Sequence, residues 1–473
     1  MAKNALNNTR QNNFPEWYQE VVERGDLADN SCVRGCMVIK PYGFALWENI
    51  KNILDKKIKE TGAQNAYFPL LIPLELLQKE AQHVDGFAKE SAIVTHHKLV
   101  ARDGKLIPDG ELESPYVIRP TSETIIGESF SKWIQSYRDL PLKINQWANV
   151  MRWEKRTRMF LRTSEFLWHE GHNVFATEKE ADDNAIEMLE LYNWFFKECL
   201  AIYGYCGKKT EDEKFPGAVN TYTIESMMQD GKALQSCTSH FLGQNFAKSS
   251  NIKFTSETGE EKYAYSMSYG TSTRMIGGII MSHSDDDGLV LPPVIAPYKV
   301  VIIPVIHDEN NRSVILEYCN KIKQALNTDV YIDLTTKTSA DKKWDWVRKG
   351  APIRLEIGLK EVENNSIFYV RRDKLLEKNV VMFNEFVSNC NNILQEMQIH
   401  LLENNKKHLY DNTIEVNNID EINDIFNKCN YFVSINEDLW ENDKLELLME
   451  KYSLSYRCKP FNLENKIIIG RSY

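Results

Sequence analysis

Apolar side chains at Leu46, Ile50, Ile53, Leu54 and Ile58 recur at helical spacing and predict a helix over 44–60, which Gly62 ends. The next run, "NAYFPLLIP", reads as a buried strand interrupted by Pro69 and Pro73, which have no N–H to donate. A second helix is predicted from Ser122 to Tyr137, capped by Thr121 or Ser122, with Glu123 in its first turn where the helix dipole favours a carboxylate. Amphipathic spacing gives another over 178–202, and "RMIGGIIMSH" a glycine-containing apolar helix. Around 291–297 the prolines of "GLVLPPVIAP" oppose both helix and central strand, so a domain boundary is expected there. Beyond it the strands "YKVVIIPV", "DVYIDL", "PIRLEIG" and "SIFYVRRD" accompany helices from Ser313 to Leu326 and Phe383 to His408. That alternation predicts a compact α/β domain of about a hundred residues. From Glu403 the chain is polar and Asn-rich until the strand-like "KIIIGRSY". No internal repeat is visible, and 473 residues exceed one core, so two or three domains are expected.

The stretch "VMRWEKRTRMFLRTSEFLWHEGHNVF" sets dense charge among aromatics. Strands over 150–154 and 161–172, joined by the basic loop "KRTRMF", would put Arg152 and Glu154 on one face. Arg162, Phe166, Trp168, Glu170 and His172 share parity on the partner strand. Buried charges persist only when paired or bound to a ligand. The face is therefore either a salt-bridge ladder or a site for a phosphate and an amine together, the arginine fork gripping oxygens and the carboxylate accepting from N–H groups. In "RPTSETIIG", Thr121 and Glu123 are either an ordinary helix cap or a seat for an ammonium or imino group. In "KALQSCTSHFLGQNF", Gln235 and Thr238 offer neutral hydrogen bonds, and His240 is a ligand contact or a satisfied core histidine. Arg274 opens a predicted helix against its dipole, which suits an anionic ligand.

Composition narrows the setting. A hydrophobic content of 42% and a charged content of 26% are ordinary for a soluble globular chain. No apolar run is long enough to span a membrane, and the polar N-terminus lacks a signal-peptide core, so the cytoplasm is expected. Nine cysteines without metal-site spacing fit reduced thiols. A net charge of −10 argues against sequence-blind nucleic-acid binding but leaves room for local basic patches.

Taken together, the segments resemble the class II aminoacyl-tRNA synthetases: "YFPLLIP" is similar to their motif 1, "RWE" with "FLRTSEFLWHEGH" to motif 2, and "YGTSTRMIGG" to motif 3. "RPTSET", "TSHFLGQNF", "APIRLEIG" and the final "RSY" resemble the prolyl-tRNA synthetase family of the archaeal/eukaryotic-like type, from about Phe14 onward, weakly over 403–460. The resemblance implies an antiparallel-sheet catalytic domain over 1–294, an α/β anticodon-binding domain over 295–402 and a small α+β domain over 403–473. It implies activation of L-proline by ATP with Mg²⁺ to prolyl-adenylate, then transfer to tRNA(Pro), by a homodimer. Arg152 would hold the α-phosphate and Glu154 the adenine amino group. Arg162 would meet the adenine or phosphate side, Arg274 would stack on adenine and meet the γ-phosphate, and Gln235, Thr238 and Ser272 would line the nucleotide. Thr121, Glu123, Arg152, Phe166, Trp168, His172, His240 and Ser272 would shape the proline pocket. Arg354 and Glu356 would read anticodon bases, and Arg371, Arg372 and Lys374 would contact phosphates.

The chain departs from that pattern in places. Only Cys429 and Cys458 stand where relatives carry four zinc ligands, so no structural zinc is expected. Tyr269 replaces a usual Trp, and "GLKE" at Gly358 to Glu361 a usual "GPRD". The segment between motifs 2 and 3 is too short for the inserted editing domain of the bacterial type. Alanine activation without hydrolysis of alanyl-tRNA(Pro) is therefore expected, because a pocket discriminates missing methylenes by only ~1–3 kcal/mol per group.

Overall fold

The structure is a computed structural model describing residues 6–81, 90–428, 430–440 and 442–473. Its centre is an antiparallel sheet in which Gly204–Lys208, Asn220–Met227, Ala233–Gly243, Tyr265–Ser272, Glu165–Phe175 and Leu142–Met151 lie side by side. The helix Glu178–Glu198 covers one face, opened by a capping box in which Thr177 and Glu180 satisfy each other's backbone N–H groups. It buries Met188, Tyr192 and Phe195 against the core that also holds Leu46, Ile50 and Leu54 of the helix Pro41–Glu60.

Several predicted boundaries shift. The strands of the charged hairpin end at Met151 and begin again at Glu165, so Arg152, Glu154 and Arg162 lie on the connecting loop. The alternation fails because Phe160 and Leu161 are both buried in succession, Phe160 with φ of 62°. The chain turns back there, with Arg158 and Arg162 exchanging backbone hydrogen bonds of 2.7 and 2.8 Å. The expected strand "NAYFPLLIP" shrinks to Leu71–Pro73, and Tyr67 and Leu71 are exposed. That short strand pairs antiparallel with Tyr116, Val117 and Ile118, and Pro69 and Pro73, which have no N–H to donate, keep the ladder short. The helix after Thr121 spans Glu123–Trp133 rather than reaching Tyr137, and Ser122 makes no side-chain cap. The predicted 178–202 helix stops at Glu198. The helix Phe14–Arg24, capped by Asn13 and burying Trp17, Tyr18, Val21 and Val22, was not anticipated.

A second sheet runs Val330–Ile332, Val300–Pro304, Ile353–Ile357, Ser366–Arg371, Asn379–Met382, parallel through the first three strands and antiparallel through the last two. The connecting "GLVLPPVIAP" forms neither helix nor strand, yet Leu289, Leu291, Ile295 and Ala296 are buried in the central core. The helix Phe383–Asp411 continues through 402–403, where a boundary was expected. The C-terminal strands Thr413–Glu415, Phe432–Asn436, Lys466–Gly470 and Ser455–Pro460 extend the central sheet, pairing Lys459 with Lys208 and Pro460 with Gly207. A shared sheet edge, rather than a linker, joins this unit to the rest. Its Cys458 is buried among Phe432 and Ile468, and Cys429 lies outside the described residues.

Arg371 and Arg372 correct the expectation of phosphate contacts. Arg372 is buried and donates to both carboxylate oxygens of Asp285, at 2.7 and 2.6 Å, and to the Val347 carbonyl at 2.9 Å. Arg371 is spent on Asp373, at 3.0 and 2.9 Å, and on Glu396 at 3.2 Å. These carboxylates, two of them distant in sequence, turn both arginines into internal struts. Lys374 stays half exposed beside Glu377.

Buried histidines set an acid limit on this fold. Burial pushes His169 down to about 3 and His283 to about 4; burial and His172 push His240 to about 3. Unfolded histidine binds its proton near pH 6.5. Between that value and the folded ones the unfolded chain holds more protons, so stability rises with pH and is lost as pH falls. The carboxylates of buried Glu225 and half-buried Asp285, held below their ordinary values by Arg457 with Lys209 and by Arg372 against the cost of burial, act in the same direction. Below pH 6.5 the loss should approach about 1.4 kcal/mol per pH unit for each histidine as the unfolded chain becomes fully protonated. The urea midpoint should drop clearly between pH 7 and 5; an unchanged midpoint would contradict the neutral histidines.

Candidate active site

The strand Glu165–Phe175 has two faces. Odd positions such as His169 and Gly171 turn toward the helix Glu178–Glu198; Phe166, Trp168, Glu170 and His172 turn to the other side. The neighbouring strand brings Ser272 opposite Trp168, Gly270 opposite Glu170 and Ser268 opposite His172. The result is one cavity of about 330 Å³ lined by Thr121, Glu123, Arg152, Phe166, Trp168, His172, Gln235, Thr238, His240, Ser272 and Arg274. Eleven residues named from sequence thus meet in one place. Glu154 and Arg162 are not among the residues lining it. Glu154 caps its own loop by accepting from the Arg156 N–H at 2.9 Å, and Arg162 is exposed.

Arg152 crosses the cavity wall. Its Nε donates to the Pro120 carbonyl at 2.7 Å, and its guanidinium lies 5.7 and 5.5 Å from the ring centroids of Phe166 and Trp168, which meet edge to face. That is a cation–π seat. The side chain faces the open cavity, but surrounding protein still desolvates the guanidinium and lowers its pKa, against the pull of Glu123 and Glu170.

Glu170 was on the predicted face but had no assigned role. It is fully buried and accepts from the Ser122 N–H at 3.2 Å, Gln146 Nε2 at 2.8 Å and His172 Nε2 at 3.2 Å. Burial pushes its pKa up, but His172 and these donors win and hold it below the usual range. Gln146 also donates to Ser122 Oγ at 2.9 Å, so Ser122 braces the site instead of capping the helix. Thr121 donates its hydroxyl proton to Glu123. One ligand atom from each of Glu123, Glu170 and His172 falls within 4.8 Å of the others, the one such group among the described residues able to hold a cation. Arg119, by contrast, is a buried brace donating to the carbonyls of Phe68 and Asn149, each at 2.8 Å.

At the other end, Arg274 starts the helix Arg274–His283, its Nε reaching the Leu161 carbonyl at 3.3 Å and its backbone N–H reaching Ser272 Oγ at 3.2 Å. Burial, then repulsion from Arg162 and Arg152, push it down to about 10, still cationic at neutral pH. His240 has the partners of a core histidine, its Nδ1 3.0 Å from Thr221 Oγ1 and its ring 4.6 Å from that of Phe215, and it also lines the cavity. Glu213, Lys214, Phe215 and Pro216 close one side, a loop no local motif announces. Tyr269 points away from the cavity side, onto Gly171 and among His169 and Tyr192, so its replacement of Trp lies behind the site. Cys237, in the same polar segment, is a buried thiol raised well above its usual value by burial.

In the second sheet, Arg354 is buried and its Nε donates to Glu356 at 3.1 Å. No helix among the described residues is long and apolar enough to cross a membrane.

The cavity joins a cationic end, an aromatic middle and a carboxylate–histidine end on one antiparallel sheet. Residues 107–283 match the family "tRNA synthetase class II core domain (G, H, P, S and T)", and residues 299–393 the family "Anticodon binding domain". The chain is 57% identical over 411 residues to proline--tRNA ligase 2 of Anaeromyxobacter dehalogenans, covering 85% of this chain and 81% of that one. It is 48% identical to the proline--tRNA ligase of Paramagnetospirillum magneticum, over 98% of this chain and 95% of that one. Its fold is similar to the crystal structure of prolyl-tRNA synthetase from Cryptosporidium parvum complexed with halofuginone and AMPPNP, with a TM-score of 0.90, 35% identity and 99% of both chains covered. With a class II core, an anticodon domain and near-full-length relatives of one activity, the chain belongs to the prolyl-tRNA synthetases.

Proposed function

We propose that the cavity activates L-proline with ATP and passes the prolyl group to tRNA(Pro), releasing pyrophosphate and AMP. The observation that carries this is Arg152 lying over Phe166 and Trp168 between Glu123, Glu170 and His172 at one end and Arg274 at the other. The protonated ring nitrogen of proline sits against Glu123 and Thr121, its ring against Phe166 and Trp168, with His172, His240 and Ser272 closing the pocket. Glu170 fixes His172. The proline carboxylate, already ionised, attacks the α-phosphate held by Arg152. Arg274 takes the distal phosphates, Gln235, Thr238 and Ser272 line the nucleotide, Glu154 turns from its loop to the adenine, and Arg162 to the adenine or phosphate side. Mg²⁺ enters with ATP as part of the substrate. Phosphoryl displacement needs mainly positioning and charge neutralisation, which these groups supply.

The working division is catalytic over 1–294, anticodon-binding over 295–402 and C-terminal over 403–473, in the cytoplasm. Structural zinc is not expected here: Cys458 is packed in a cluster with Phe432, Ile468 and Leu409. Arg354 with Glu356 reads guanine edges. Arg354→Ala should therefore leave proline-dependent ATP–pyrophosphate exchange within about twofold and cut aminoacylation of tRNA(Pro) by about tenfold or more, the loss of one 1–3 kcal/mol base contact. Equal losses in both assays would sink the assignment.

A homodimer fits the small sheet of Leu71–Pro73, Lys105–Ile118 and Ile93–Arg102, on which Leu99 and Leu106 share one face and are both exposed. Such a patch seeks a partner surface. Sedimentation equilibrium should give twice the 54.9 kDa chain mass, reduced to one chain by Leu99→Glu with Leu106→Glu. A monomer at micromolar concentration would exclude it.

A further inference from the structure

Next to the active-site cavity, and sharing Gln235 and Arg274 with it, is a second chamber of about 220 Å³. Arg162, Arg274 and Arg457 all line it, and no side chain in its lining is acidic. Arg457 comes from the C-terminal strand Ser455–Pro460, not from any of the three synthetase motifs. It is buried, with Nε and Nη2 on one oxygen of Glu225 at 2.9 and 2.6 Å and Nη1 on Ser455 Oγ at 2.8 Å. Glu225 is fully buried on the strand Asn220–Met227 and holds Lys209 Nζ 2.8 Å from its other oxygen. One carboxylate thus holds two cations directly, and Arg274 feels Glu225 as well as Arg457, the latter as one of the charges that lower its pKa. Lys209 and Arg457 are buried on one shared carboxylate, and a surplus of buried positive charge is costly unless an anion completes the set. The backbone pairing of Lys459 with Lys208 already fixes this strand, so the joint itself does not require the charge.

We propose that this chamber receives the pyrophosphate part of the nucleotide and that Arg457, held in place by Glu225, is a further phosphate-binding residue of the reaction. The inference rests on the activation chemistry proposed above. Guanidinium forks suit the paired oxygens of a diphosphate, and a fork anchored on a buried carboxylate needs no reorganisation when the anion arrives. The C-terminal unit is then part of the nucleotide site.

The test is proline-dependent ATP–pyrophosphate exchange with the full chain, comparing Arg457→Gln and Arg457→Lys with the unaltered protein. Arg457→Gln should raise KM for inorganic pyrophosphate and for ATP about tenfold, with KM for proline within twofold; Arg457→Lys should recover part of the loss. A folded Arg457→Gln protein with unchanged pyrophosphate KM, or with proline KM shifted equally, overturns the proposal. If that variant does not fold, the unaltered protein crystallised with inorganic pyrophosphate decides. Phosphate oxygens on Arg457 support the proposal, and a diphosphate bound elsewhere overturns it. Absence of exchange in the unaltered protein would defeat the proposed activity instead.

Discussion

Arg152→Ala should lower kcat/KM for proline-dependent ATP–pyrophosphate exchange by about 10³ or more while leaving the thermal midpoint within a few degrees. One preorganised donor aimed at developing charge is worth about 10²–10³, and Arg152 serves two partners in the proposed complex. Its guanidinium faces both the aromatic pair and the carboxylates Glu123 and Glu170. Removal would leave the α-phosphate without its fork and the proline end with uncompensated negative charge. Arg152→Lys should recover little, because an ammonium cannot grip the Pro120 carbonyl and two phosphate oxygens in one plane. A variant within tenfold of the unaltered protein would remove Arg152 from the mechanism.

Gly171→Ala should cripple both stability and proline binding. A Cβ at Gly171 would stand 1.9 Å from Cζ of Tyr269, and that ring is almost fully buried with His169 and Tyr192 around it. The ring has no free space to enter, so the strand must bend. Overpacking of this kind costs about 1–3 kcal/mol, and here the bend displaces Glu170 and His172, the residues on either side. KM for proline should rise more than KM for ATP. Adding Tyr269→Leu to Gly171→Ala makes room for the methyl and should restore most of the stability, a coupling that independent sites would not show. If Gly171→Ala unfolds at the same urea concentration as the unaltered protein, the tight contact is not part of the native packing.

Much of this site was legible because period-two alternation survives in Phe166, Trp168, Glu170 and His172, where one face meets ligand space and the other meets a helix. Spacing could not locate the loop between the strands, because Phe160 and Leu161 fold back into the core and end the alternation. Arg371 and Arg372 looked like solvent-facing phosphate contacts, since Asp285 and Glu396 come from distant segments. The same distance hid Arg457 and Glu225, which only the joining of the C-terminal strands to the central sheet brings together. The residues of "RPTSETIIG" carried two readings. In the fold Thr121 and Glu123 line the cavity, with Glu123 also in the first turn of its helix, while Ser122 and Arg119 brace the backbone behind it.

Whether this one cavity activates proline is decided by amino-acid-dependent ATP–pyrophosphate exchange measured with each of the twenty amino acids. Exchange should be strong with proline, weak but measurable with alanine, and at background with the other eighteen. Background exchange with proline, or stronger exchange with another amino acid such as threonine or serine, would contradict the account.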